Sequence, residues 1–297
     1  LRAKPVLPSS AEAGIPAITA GQGKGFKEEI TMSKLLVKPA SPDANGTVTR
    51  VTPESAGWTY VGFALHRLAD GQRFDGETGD KEICIVAVTG TISVMAGGER
   101  FERIGGRKTV FDGATSSVYV PNGEMYEVVA HGAAEVAICS APGAGNHKVR
   151  LIGPADVGFE ERGQGSNRRL VYNILPEGKP ADSLLIVEVV TPAGNWSSYP
   201  PHKHDQDDLP RESFLEETYY HRLNPSQGFA FQRVYTDDRS LDETMAVSDG
   251  DVVLVPRGYH PVGAAHGYDL YYLNVMAGPH RVWKFHNDPA HEWMLKR

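Results

Sequence analysis

The chain has 297 residues, 40% of them apolar by type, with a formal net charge of −7. That is enough for one large domain or two ordinary ones, each with a proper core. The acidic balance argues against nucleic acid and anionic membranes as partners, no apolar run approaches a membrane span, and two cysteines are too few for a disulfide framework.

Residues 1–31 are rich in Ala, Gly and Pro and show no apolar period. They lack a basic segment followed by an apolar one, so they do not read as a signal peptide. Met32-Ser-Lys-Leu-Leu-Val resembles a natural start. A leader or arm over 1–31, outside the functional argument, is the expectation.

From Leu35 onward short runs of Val, Ile, Tyr and Phe alternate with Gly, Pro, Asp and Asn clusters, at 60–65, 83–88, 117–120, 135–139, 184–190, 229–235, 252–255 and 270–276. Long amphipathic helices are absent from this pattern, which predicts an all-β sandwich or barrel. Cys84 and Cys139 lie in such runs and read as small buried hydrophobes, in keeping with a cytoplasmic location.

A weak internal repeat runs through the chain. Asp112-Gly113, an apolar run and Pro121-Asn-Gly123 mirror Asp249-Gly250, an apolar run and Pro256-Arg-Gly258. A strand led by a glutamate precedes each, Glu82 in the first copy and Glu217 in the second. The reading is two β-barrels, over 32–145 and 165–297, with a Gly- and Pro-rich linker at 143–165.

The second copy carries a metal-ligand constellation. In Pro201-His202-Lys203-His204 the two imidazoles are i and i+2 on a strand and share a face. A polar stretch then leads to Glu216-Glu217, and a later strand and turn end in Pro256-Arg-Gly258-Tyr-His260. Eight of the eleven histidines fall after residue 201. Three imidazoles and one carboxylate suit a divalent transition metal such as Zn, Mn or Fe and leave positions open for substrate.

This pattern resembles the cupin superfamily: Gly194, His202, His204, glutamate and Gly228, then Gly250, Pro256, Gly258 and His260. The resemblance implies a bicupin, two double-stranded β-helix barrels. Two departures stand out: the stretch between His204 and the glutamates is much longer than usual, and Gly258 to His260 is one residue short. By analogy with related cupins, Glu217, followed directly by Thr-Tyr-Tyr, is taken as the ligand and Glu216 as facing outward. The first copy keeps Glu82 and Pro121-Asn-Gly123 but has no His-x-His, and Tyr126 stands near where the last histidine would be. It reads as a packing and dimerisation scaffold with a vestigial pocket, which leaves a homo-oligomer open.

The segments around the ligands, among them Tyr199-Pro-Pro-His-Lys-His-Asp, Gly228-Phe-Ala-Phe-Gln-Arg-Val-Tyr and Tyr268-Asp-Leu-Tyr-Tyr-Leu-Asn, are similar to those of the 5-deoxy-glucuronate isomerases of myo-inositol catabolism, relatives of the 5-keto-4-deoxyuronate isomerases. The resemblance implies an aldose–ketose isomerase that interconverts 5-deoxy-D-glucuronate and 5-dehydro-2-deoxy-D-gluconate. Such a reaction needs a polarised carbonyl and a proton shuttle. Tyr219 shares a face with Glu217 by strand parity and is the candidate acid–base or orienting group. Lys203, between the two histidines, should point away. Arg233 and Arg257 are the candidate anchors for a substrate carboxylate, with Arg168 and Arg169 further options. The competing readings are an Fe-dependent dioxygenase of the same fold and a non-catalytic sugar-binding bicupin.

Overall fold

The computed structural model describes residues 33–296; the expected leader lies outside the described residues. Two larger sheets and two four-stranded sheets build the pair of barrels. In the first barrel, a six-stranded sheet centred on Lys81–Thr89 and Ala134–Pro142 faces the four strands Arg73–Glu77, Met125–Ala130, Thr91–Ala96 and Glu99–Gly105. In the second, a seven-stranded sheet centred on Glu216–Asn224 and Asp269–Ala277 faces Trp196–Ser197, Val262–Ala264, Ala230–Tyr235 and Asp242–Val247. No helix among the described residues is long and apolar enough to cross a membrane.

The near-continuous apolar runs have a physical cause. In Lys81–Thr89, Ile83, Ile85 and Ala87 fill the first barrel, whereas Cys84, Val86 and Val88 join a cluster shared with Tyr220, Leu254 and Val275 of the second. A strand buried on both faces shows no polar alternation. Cys84 and Cys139 are direct cross-strand neighbours, free and buried in that shared core.

The barrels exchange strands. Leu36–Val37, ahead of the first barrel, pairs with Val252–Val255 of the second. Arg150–Ile152, ahead of the second, pairs with Ser117–Val120 of the first. The stretch expected as a linker therefore holds this exchanged strand and also Gly158–Arg162, which pairs with Arg169–Leu175.

Buried carboxylates tie the exchange down. Glu82 accepts backbone N–H groups from Asp182, Ser183 and Leu184 at 2.7, 2.6 and 2.6 Å, and the Tyr119 hydroxyl at 2.5 Å. Glu216 accepts those of Thr59, Tyr60 and Val61 at 2.7, 2.6 and 3.0 Å. Glu216 does turn away from the second barrel's interior, but not to solvent: it is 2% exposed and grips the first barrel's entering chain.

Candidate metal centre

His202 lies on the short strand His202–Lys203, paired with His286–Asn287. After His204 the chain makes an excursion, the hairpin of Asp205–Asp208 and Glu212–Phe214. It returns where the Leu215 N–H donates to the His204 carbonyl at 2.9 Å. This inserted hairpin accounts for the long stretch between the histidine pair and the glutamates. Glu217 then enters the barrel as the second residue of Glu216–Asn224, opposite Val255 and Met276.

His260 arrives through a turn that only glycine tolerates. Gly258 sits at φ +90°, and a Cβ there would lie 2.4 Å from the Tyr235 carbonyl oxygen. The Gly258 N–H donates to Asp205 Oδ2 at 2.9 Å, and Asp205 Oδ1 receives Lys203 Nζ at 2.9 Å. Lys203 also reaches Asp237 at 2.8 Å. It points away from the barrel interior, as expected, and ties the histidine strand to the loop that carries His260.

His204, Glu217 and His260 converge, each offering one ligand atom within 4.8 Å of the others, and all three are buried. Glu217 Oε2 lies 3.1 Å from His204 Nε2 and 3.3 Å from His260 Nε2. The far nitrogens set the tautomers: His204 Nδ1 sits 2.9 Å from the Leu215 carbonyl and His260 Nδ1 2.8 Å from that of Gly258. A carbonyl only accepts, so each Nδ1 must carry its hydrogen. In neutral rings both Nε2 lone pairs then face the same carboxylate, and His260 Nε2 is buried with no hydrogen-bond partner. Three acceptor atoms without a donor between them call for a cation, and two imidazoles with a carboxylate are a donor set for a divalent transition metal.

The local electrostatics show the same tension. Burial alone would depress His204, but the Glu217 carboxylate turns its shift upward. Burial dominates at His260 and holds it at about 4, against the pull of the same carboxylate. Glu217 and one proton cannot serve both rings.

His202 stands beside this trio rather than in it. Its ring centroid is 4.9 Å from that of His260 and 6.3 Å from that of His204. Desolvation, then the neighbouring His260 and His204 rings, holds it well below the ordinary histidine value, so it is neutral and able to ligate.

A narrow cavity of about 30 Å³ adjoins the cluster, lined by His202, Glu217, Tyr219, Ser198, Tyr272 and Asn274 together with Arg162, Arg169 and Trp283. Tyr219 has its hydroxyl 2.9 Å from Ser198 Oγ. Burial first, then the Glu217 carboxylate, pushes its phenol well above the usual value, so it remains protonated. Beneath it His221, fully buried, bonds Gln232 Oε1 through Nε2 at 2.9 Å.

The two arginines expected to anchor a carboxylate lie elsewhere. Gln232 takes the inward face of its strand, so Arg233 points outward, bonded to Asp242 at 2.7 and 2.6 Å. Arg257 lines a separate cleft with Glu216, Asp237 and Asp238. Arg168 is exposed and paired with Glu161. Arg169 does reach the cavity, and Arg162 joins it because the hairpin sets these two residues directly opposite each other. Arg162 stacks over Trp283 at 5.7 Å. No spacing motif marks Arg162 in sequence; only the pairing of its strand places it.

Comparison with known proteins agrees with this architecture. The profile of the KduI/IolB family matches residues 35–294. The chain is 60% identical over 266 residues to the 5-deoxy-glucuronate isomerase of Geobacillus kaustophilus (strain HTA426), covering 89% of this chain and 96% of that protein. It is 57% identical over 271 residues to the 5-deoxy-glucuronate isomerase of Bacillus subtilis (strain 168), covering 90% of this chain and all, 100%, of the relative. An IolB-like protein from Salmonella typhimurium LT2 superposes with a TM-score of 0.86 at 51% identity, covering 89% of this chain and 100% of that one. The oxalate decarboxylase of Lactobacillus farciminis shares the bicupin fold at a TM-score of 0.60 and 14% identity, covering 90% of this chain and 91% of its own. With its profile matched almost end to end from residue 35, the chain belongs to the KduI/IolB family.

Proposed function

We infer that this chain is a metal-dependent 5-deoxy-glucuronate isomerase of the cytoplasm, acting on a small acidic sugar in inositol catabolism. The observation that carries the reading is the convergence of His204, Glu217 and His260 next to a cavity that holds two arginines, in a chain 60% identical to a relative of that name. The reaction moves a carbonyl by one carbon. One hydrogen passes from C2 to C1, and one proton passes from the C2 hydroxyl to the C1 oxygen, with no net redox change.

His204, Glu217 and His260 would hold the divalent ion, with His202 the adjacent fourth ligand. When bound, it supplies Lewis-acid polarisation of the sugar's neighbouring carbonyl and hydroxyl oxygens. The chain's own residues do the rest. Arg169 and Arg162 receive the carboxylate at the far end of the substrate by charge-assisted hydrogen bonds. Tyr219, kept protonated and oriented by Ser198, donates a hydrogen bond to the oxygen where negative charge develops. Val171, Val187 and Val189 line the same cavity and keep water from the reacting carbons.

The test is turnover of 5-deoxy-glucuronate by purified protein before and after chelation, with the ketose product identified by NMR. Conversion that chelation removes and added divalent ion restores is the expected result. Oxygen consumption without isomerisation would favour the dioxygenase reading.

A further inference from the structure

The first barrel lacks the metal ligands but keeps a larger cavity than the second, about 330 Å³ against about 30 Å³. The two cavities occupy corresponding positions. Glu82 pairs with Ala141 and Glu216 with Ala277, which sets Ile83 equivalent to Glu217 and Ile138 to Asn274. Gly62 pairs with Ser140 and Leu185 with Met276, which sets Ala64 equivalent to Val187 and His66 to Val189. All eight of these equated residues line the cavity of their own barrel.

Where the second barrel has its carboxylate ligand, the first presents Ile83 and a different set of polar groups. Arg50 lies opposite Ala64, and Lys81 is two residues before Ile83, so both cations project to the inner face. Among the described residues neither lies within salt-bridge distance of a carboxylate, although Lys81 acts on Glu54 from farther away. The Arg50 guanidinium is close enough to the His66 imidazole and the Tyr126 hydroxyl to act on both. Tyr126 crosses over Gly76, where a Cβ would sit 2.5 Å from its hydroxyl. The Tyr126 and Ser140 hydroxyls both line the cavity and have no hydrogen-bond partner among the described residues. Two acidic residues, Asp75 and Glu77, also border the space. On their strand Phe74 is buried and Gly76 faces Tyr126, so parity turns both carboxylates toward the outer face, although Asp75 still acts on the Tyr126 hydroxyl, against Arg50.

We propose that the metal-free barrel is a second binding site, for a small hydroxylated organic carboxylate, held by Arg50 and Lys81 with the Tyr126 and Ser140 hydroxyls. Two inward cations supply charge for a carboxylate, and two free hydroxyls supply partners for its hydroxyl groups. The volume suits a molecule of monosaccharide size. This site stands independently of the second barrel's chemistry.

D-Glucuronate is the probe, with D-glucose as the uncharged control, in titration calorimetry on the full metal-loaded chain. The expected stoichiometry is two glucuronates per chain, falling to one in Arg50→Gln/Lys81→Met and to one in Arg162→Gln/Arg169→Gln. Glucose should bind the first-barrel site at least ten-fold more weakly. A single site lost in Arg50→Gln/Lys81→Met supports this proposal while the second-barrel anchor fails. A single site lost in Arg162→Gln/Arg169→Gln overturns it, as does binding unchanged in Arg50→Gln/Lys81→Met or no binding at all. Circular dichroism of each variant guards against misfolding, and Tyr126→Phe, which keeps the ring, should weaken first-barrel binding several-fold without moving the metal content.

Discussion

Glu82 and Glu216 occupy equivalent places in the two barrels and grip them in opposite directions. Glu82 stands opposite Ala141 and holds the backbone of 182–184; Glu216 stands opposite Ala277 and holds that of 59–61. Each carboxylate belongs to one barrel and satisfies three N–H groups just ahead of a central strand of the other. The barrels are thus joined by a reciprocal clamp as well as by exchanged strands. Glu82 therefore corresponds to Glu216, and the ligand position of the first barrel is filled by Ile83.

The clamp makes a stability prediction. Glu216→Ala or Glu82→Ala leaves three N–H groups in search of a partner, at about 1–3 kcal/mol for each group left buried. A loss of about 3 kcal/mol or more is expected in denaturant unfolding. Glu216→Gln keeps part of the bonding and should retain nearly full metal. Near-normal stability in both alanine variants would show the clamp to be dispensable.

The ligand assignment makes a contrasting prediction for the neighbour. Removing an outer partner of a metal ligand lowers affinity roughly 10–100-fold, and removing the ligand itself should cost at least that. Glu217→Gln is expected to lose metal by that margin while keeping its fold, since it relieves the crowding of carboxylate and imidazole acceptors. Metal analysis after dialysis against a weak chelator reads the difference. Metal retained by Glu217→Gln but lost by Glu216→Gln would reverse the assignment.

The carboxylate anchor is tested by kinetics. A charge-assisted hydrogen bond contributes about 1.5–3 kcal/mol, roughly a ten- to hundred-fold change. Arg169→Gln should raise KM for the acidic sugar by that factor with metal content unchanged. Arg233→Gln, which removes the outward pair with Asp242 and the stacking over Tyr235, should leave KM where it was. An effect confined to Arg233→Gln would place the substrate on the wrong face of this cavity.

A pH dependence follows from His221. Burial lowers its imidazole to about 4, against about 6.5 when unfolded. The unfolded chain therefore holds more protons between those values, and stability rises with pH across that window. The linked energy is on the order of 3 kcal/mol, fully present above about pH 6.5 and lost as pH falls toward 4. In metal-free protein, His221→Asn should flatten the stability profile over that range, measured by urea unfolding at several pH values. An unchanged slope would mean that His221 is not the group that titrates.

Much of this was legible from residue order, for definite reasons. Strands announced themselves through β-branched and aromatic runs, and the His-x-His parity placed His202 and His204 on one face. The convergence of His204, Glu217 and His260 follows from local signals: strand parity, a glycine turn and a returning strand. The arginines were not legible in the same way. Arg233 could face either side until Gln232 took the inward position against His221. Arg162 sat in what looked like a linker, and only hairpin pairing brings it opposite Arg169. The role of Glu216 depended on contact with a segment 155–157 residues distant, which no local pattern encodes.

One divalent ion in the second barrel is expected to support isomerisation of 5-deoxy-glucuronate. The most direct measurement is metal content and turnover on the same samples: parent, chelated, reloaded, and Glu217→Gln. The expected result is one ion per chain in the parent, isomerisation that disappears with chelation and returns in proportion to reloaded metal, and neither metal nor turnover in Glu217→Gln. Full turnover in the chelated protein, or in a Glu217→Gln sample without metal, would contradict it.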